Sequence, residues 1–333
     1  MKEVIKLRQS IRRKFSLLSF LCLILLLPSC SARVTPPEQW APLAQNDIDK
    51  LFKGYSLQNL MGHVQGLSAP ELQGRAASSN GEDLAGDYLI GQLKNIGLQP
   101  WQAGGFSDYR QSFRIKGLVQ PAENILAALP GTTPNSLLVL SAHYDHLGIQ
   151  NGSYYPGADD NAVGVAIVLE TARCFVQNGI HPIRTVLFAL LSGEEDGLNG
   201  SAALASLLDR EGFSPDAVVL NLDMMGGIGG NSLDVWMERS RPNGQTVASI
   251  AQQEIIANGI GSDMLKRRFG PVDSESFARR GMPSITLSWD MAKENHPYRH
   301  SPNDTYGNLR SDLIEHGSRA TMRVALALAN YQK

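Results

Sequence analysis

Six short apolar runs punctuate the chain: ENILAALPG (123–131), SLLVLSAHYD (136–145), RTVLFALLSGEE (184–195), AVVLNLDMMG (217–226), SLDVWME (232–238) and PSITLSWD (283–290). Many of their residues are β-branched, and Gly, Pro, Asn or Asp bounds them, so they predict strands. Between them, apolar residues recur at helical spacing over about 81–97, 162–178, 199–211, 243–258 and 312–331. This alternation predicts an α/β fold: a central mixed, mostly parallel sheet with helices on both faces. The near-continuous run TVLFALL leaves no polar face for solvent, as a strand covered on both sides requires.

The N-terminus follows another pattern. Lys2, Lys6, Arg8, Arg12, Arg13 and Lys14 precede the apolar stretch Phe15 to Leu27, and Pro28-Ser29-Cys30 closes it. That order reads as a secretory signal, and the apolar stretch is short of the ~20 residues a spanning helix needs. A small residue followed at once by cysteine resembles the lipobox of bacterial lipoproteins. The resemblance implies cleavage before Cys30, acylation of Cys30 and, with Ser31 rather than aspartate next, sorting to the outer membrane on its periplasmic side. Residues 1–29 are then a lipoprotein signal peptide, the Pro-rich and polar 30–45 a tether, and 46–333 a single catalytic domain. With 43% hydrophobic and 19% charged residues and a formal net charge of -2, the chain is neither a basic nucleic-acid binder nor disordered. After signal removal and acylation only Cys174 remains, set in the apolar AIVLETARCF, so a buried structural thiol is expected and no intrachain disulfide.

Candidate chemistry collects where strands end. His143 and Asp145 follow LLVLSA, Glu194 and Glu195 follow VLFALLSG, and Asp223 follows AVVLNL. The loop GADDNAVG adds Asp159 and Asp160, and HPYRHSPNDT adds His296, His300 and Asp304. Singly, each piece is an ordinary strand end, turn or helix cap. Together they gather charges that cost several kcal/mol each to bury unless paired or bound to metal. Imidazole with carboxylate and no thiolate suits a catalytic zinc or a related divalent ion. Two histidines and several carboxylates suffice for two ions sharing one bridging carboxylate.

The ordered set AHYDHLG, GADDNAVG, SGEEDGLNGS, NLDMMGG and RHSPNDT resembles the co-catalytic zinc exopeptidases of the bacterial leucyl aminopeptidase type, from about residue 55 to the C-terminus. That family includes glutamate carboxypeptidase relatives, glutaminyl cyclases and the catalytically dead transferrin receptor. The resemblance implies two Zn2+ per chain, His143 and Asp223 on one, Glu195 and His300 on the other, Asp159 bridging both, and Glu194 as general base. It implies that Asp145 accepts the second ring N–H of His143. Asp160 then supports the ligands, with a cis peptide expected between Asp159 and Asp160. His146 is expected to make a structural hydrogen bond and His296 to be an ordinary loop residue. Asp273-Ser274 stands where the family usually carries Asp-His, and Tyr298 is a weak candidate for oxyanion stabilisation. The implied activity is removal of N-terminal residues from peptides through a zinc-bridging hydroxide. The expected partners are a peptide substrate and, through lipid alone, a membrane; no nucleic acid is expected, and no motif bears on oligomeric state. The alternatives are a glutaminyl cyclase-like acyltransferase with one zinc and a catalytically dead, lipid-anchored binding protein. The dead protein is disfavoured because all five ligands and the base are present. Neither a lid domain nor a protease-associated domain has room between the motifs.

Overall fold

The computed structural model describes residues 42–237, 244–265 and 271–332. The expected signal peptide and Cys30 lie outside the described residues. In chain order the helices are α1 (Gln45–Phe52), α2 (Leu57–Leu67), α3 (Asn80–Ile96), α4 (Val163–Gln177), α5 (Asn199–Arg210), α6 (Gly244–Ala257), α7 (Ser274–Ala278) and α8 (Ser311–Asn330). The strands are β1 (Gln99–Pro100), β2 (Arg110–Phe113), β3 (Ala122–Leu129), β4 (Thr133–His143), β5 (Ile149–Gln150), β6 (Ser153–Tyr154), β7 (Arg184–Leu191), β8 (Val218–Leu222), β9 (Leu233–Met237), β10 (Met264–Leu265) and β11 (Ser284–Trp289).

Nine of these strands form one mixed sheet in the order β1-β3-β7-β4-β8-β11-β9-β10, with β2 also paired to β3. Its centre is parallel: β7, β4, β8 and β11 run the same way, in registers such as Leu138 opposite both Val186 and Val218, and Leu222 opposite Leu287. Antiparallel pairings flank it, β3 on β7 and β9 on β11. Because side chains alternate across a strand, the central strands feed two cores. Leu138, Leu140, Phe188, Leu190, Leu220 and Leu287 pack with α1, α2, α3, α4, α6 and α8 on one face. Leu137, Val139, Leu187, Ala189 and Val219 pack with α5 and with Phe277 of α7 on the other. Every residue of β7 is buried, as two covered faces demand. Cys174 is a buried free thiol in the larger core, and burial pushes it up to about 12.

The site follows from this topology. Four parallel strands bring their carboxyl ends to one edge of the sheet, where an α/β fold leaves its crevice. His143 ends β4, Glu194 and Glu195 follow β7, Asp223 directly follows β8, and the loop after β11 carries His296 and His300.

Candidate metal centre

Two sets of donors stand at that edge. His143, Asp160 and Asp223 form one, and His146, Asp160 and Glu195 the other; within each set the ligand atoms all lie within 4.8 Å of one another. His143 is buried, its Nε2 3.4 Å from Asp160 Oδ1 and 3.6 Å from Asp223 Oδ1. His146 Nδ1 lies 2.8 Å from Glu195 Oε1. His300 reaches the second set from the solvent side, with Nε2 3.1 Å from Asp160 Oδ2 and 3.2 Å from Glu195 Oε2. Packing this many acids and imidazoles out of water is costly unless a cation compensates. Nitrogen and carboxylate donors without sulfur suit zinc or a related divalent ion.

Asp159, expected to be the shared carboxylate, is placed elsewhere; the carboxylate common to both sets is that of Asp160. The turn before α4 aims the two neighbours apart. Asp159 Oδ1 accepts from the Gly226 N–H at 2.7 Å, and its Oδ2 meets His296 Nδ1 at 2.5 Å. At Gly226 a Cβ would come 2.8 Å from that same Asp159 oxygen, so a larger residue there would have to displace the Asp159 carboxylate. The cis peptide is likewise one position later than expected, between Asp160 and Asn161. Asp304 holds the turn: its two carboxylate oxygens accept from the N–H groups of Asp159 and Asp160 at 2.8 and 3.1 Å.

Asp145 also departs from expectation. Its carboxylate accepts from the backbone N–H groups of Glu194 and Glu195, each at 3.3 Å, and so clamps the turn that presents both glutamates. The His143 ring meets the Asp145 main-chain carbonyl at 3.2 Å, whereas the nearest carboxylate oxygen is 3.7 Å away. His296 is no ordinary loop residue, being buried and tied to Asp159. Among the described residues, the Nε2 atoms of His146 and His296 are buried without a hydrogen-bond partner, as are both carboxylate oxygens of Asp273. Tyr298 lies in the loop between His296 and His300 and lines a small cavity with Asp159, His296 and Asp304.

Arg75 was not anticipated. Its guanidinium is fully buried and donates to four carbonyls: Leu67, Tyr144 at 2.7 Å, Pro156 at 2.7 Å and Gly157 at 2.9 Å. It therefore ties the segment after β4 to the turn that presents Asp160. A lone Gly-Arg pair in a loop carries no sign of this, because its four partners come from three separate segments. The histidines showed only as candidates, since chain position does not say which way a loop imidazole faces.

Electrostatics separate the neighbouring glutamates. Burial pushes Glu194 well above the usual carboxylate range, reinforced by Asp223, Asp273 and Asp160 although His143 opposes it. Burial would raise Glu195 too, but hydrogen bonds from His146 and His300 take it down to about 2. Burial disfavours a charged His143, yet the adjacent carboxylates of Asp145, Asp160 and Asp223 hold it well above its ordinary value. Hydrogen bonds to Asp160 and Glu195 raise His300 to about 9. Adjacent carboxyls are thus driven in opposite directions by their surroundings. Met224 and His300 adopt positive φ, 56° and 54°, and such strained non-glycine backbone concentrates at functional sites.

Fold and site thus define an α/β protein with two sets of candidate metal ligands, sharing Asp160, at the carboxyl ends of its parallel strands. The model of Peptidase family M28 matches residues 124–325, and the chain belongs to that family. It is 31% identical over 295 residues to a protein of Pyricularia oryzae described as "Probable zinc metalloprotease", covering 77% of this chain and 54% of that one. With the aminopeptidase YwaD of Bacillus subtilis it shares 26% identity over 201 residues, 59% of this chain and 42% of the relative. The chain spans between 36% and 54% of the length of the first curated relatives it matches. The LapA aminopeptidase of Legionella pneumophila has a similar fold, with a TM-score of 0.74 at 17% identity over 90% of this chain and 79% of that one.

Proposed function

We propose that this protein is a zinc-dependent exopeptidase, most simply an aminopeptidase, that holds two zinc ions per chain. One observation carries the reading: two donor sets share Asp160 at the sheet edge, and Glu194 stands beside them on the same turn as Glu195. His143, Asp160 and Asp223 would hold one ion; Asp160 and Glu195 with His146 or His300 would hold the other. Zinc, when bound, polarises a scissile carbonyl and makes water acidic enough to attack near neutral pH. Glu194 takes the proton of the attacking water at its carboxylate and delivers it to the leaving amine. Asp145 keeps both glutamates in place by holding their backbone N–H groups. Family membership and relatives described as zinc metalloprotease and aminopeptidase support the same reading. Two donor sets favour it over a cyclase working with one zinc.

The test uses the purified chain on leucine p-nitroanilide and its N-blocked counterpart. Hydrolysis of the unblocked substrate alone is expected, lost on chelation and restored by zinc, with two ions per chain by elemental analysis. Glu194→Gln should keep its metal and lose turnover by about a hundredfold or more, the usual contribution of a general base. Hydrolysis that survives chelation, or a Glu194→Gln protein with an undiminished rate, would remove the proposal.

The same reading places the enzyme on a lipid tether in the bacterial envelope, facing the periplasm. Support comes from the basic, then apolar, then Pro-Ser-Cys order at the N-terminus.

A further inference from the structure

We propose that Arg299 is a specificity residue that binds a carboxylate of the substrate; the inference rests on the exopeptidase reading above. Arg299 directly precedes His300, and its side chain is half-exposed at 46%, whereas the Asp160 carboxylate it faces is 3% exposed. Among the described residues, Asp160 is the only carboxylate within ion-pair distance of the guanidinium, and the approach is long, 3.5 Å from Nε to Oδ2. Asp160, Asp223, Glu195 and Glu194 all act on it electrostatically. Other arginines here are committed: Arg75 to four carbonyls, Arg323 to Glu254 through two nitrogens, Arg173 to Glu170 and the Gly54 carbonyl. Arg299 instead is half-exposed beside Asp160, with no second ion pair among the described residues.

The chemistry of a ligand follows from the signs of charge. With Asp160, Asp223 and Glu195 engaged by zinc in this reading, the guanidinium of Arg299 adds positive charge beside the centre, which repels an ammonium and attracts an anionic group of the substrate. A planar guanidinium fork matches a carboxylate in a bidentate way that neither an amide nor an ammonium can reproduce. The substrate group at Arg299 is therefore a carboxylate. It belongs either to the free C-terminus of a dipeptide or to an acidic side chain, and the two sources separate by experiment.

kcat/KM is measured for the wild-type enzyme, Arg299→Gln and Arg299→Lys on leucyl-glycine, leucyl-glycinamide, leucine p-nitroanilide and glutamate p-nitroanilide. Loss of a charge-assisted contact corresponds to about tenfold or more. Arg299→Gln should fall by that factor more on the carboxylate-bearing substrate than on leucine p-nitroanilide, with Arg299→Lys in between. A selective loss on leucyl-glycine but not on its amide assigns the α-carboxylate; a selective loss on glutamate p-nitroanilide assigns the side chain. Equal loss on all four substrates, or on none, overturns the role of Arg299. A wild-type enzyme inactive on every substrate would instead overturn the exopeptidase reading, and this inference with it.

Discussion

Asp159 and Asp160 are identical side chains on consecutive residues, and the turn before α4 sends them to different work. Asp160 joins both donor sets, and Asp159 anchors Gly226 and His296. Asp160→Asn should therefore abolish binding of both metals, read as ions per chain. Asp159→Asn should keep its metal but lose about 1–3 kcal/mol of stability, the cost of disturbing a buried hydrogen-bonded pair, read by urea unfolding. If Asp159→Asn were the variant that emptied the site, the shared carboxylate would be misassigned. At this scale the sequence was legible in kind and not in detail. That GADDN supplies a ligand followed from two acids beside other metal-competent strand ends. Which acid does so depends on backbone torsions within the turn, and two adjacent aspartates give no chemical reason to prefer one. His146, expected to make a structural hydrogen bond, joins a donor set with Glu195, and His296, expected to be an ordinary loop residue, is tied to Asp159, because an imidazole in a loop reveals its partner only when another segment arrives beside it.

The turn after β7 shows how elements set the positions of these residues. It presents Glu194 and Glu195 and then enters α5, whose first turn packs back on the strand end: the N–H of Gly200 donates to the Ser192 carbonyl at 3.0 Å. A Cβ on Gly200 would stand 2.1 Å from that carbonyl oxygen and 2.3 Å from Asn124 Oδ1. Gly200→Ala should cost about 1–3 kcal/mol through overpacking. It should also lower hydrolysis by shifting the glutamate turn, measured as a drop in melting temperature together with kcat. An unchanged melting temperature would mean that α5 moves freely against the strand. The six expected strands appear as β3, β4, β7, β8, β9 and β11, and the five expected helices as α3, α4, α5, α6 and α8. The unanticipated elements are mostly short. β1, β5, β6 and β10 have two residues each and α7 has five, too few to show a period of 2 or 3.6.

For the whole molecule, the proposed lipid anchor at Cys30 bears on where the domain sits. Among the described residues no helix is long and apolar enough to cross a membrane. In this proposal the attachment is through Cys30. Cys30→Ser should move the protein from the membrane to the soluble fraction of its host while leaving the specific activity intact. Membrane fractionation that ignores the substitution would remove the lipid anchor from the account.

The alternation of apolar and polar positions was enough, by itself, to specify the layered α/β class and to put the chemistry at strand ends, because both are local consequences of side-chain period and burial. Only the tertiary structure decided the strand order β7-β4-β8-β11, and with it the meeting of His143, Glu195 and Asp223 around Asp160. It alone also assigned Asp145 to the glutamate turn, Arg75 to four carbonyls and Arg299 to the side of Asp160. The physical reason is common to all of these: each depends on distances and directions between segments far apart in the chain, which no single stretch of sequence encodes.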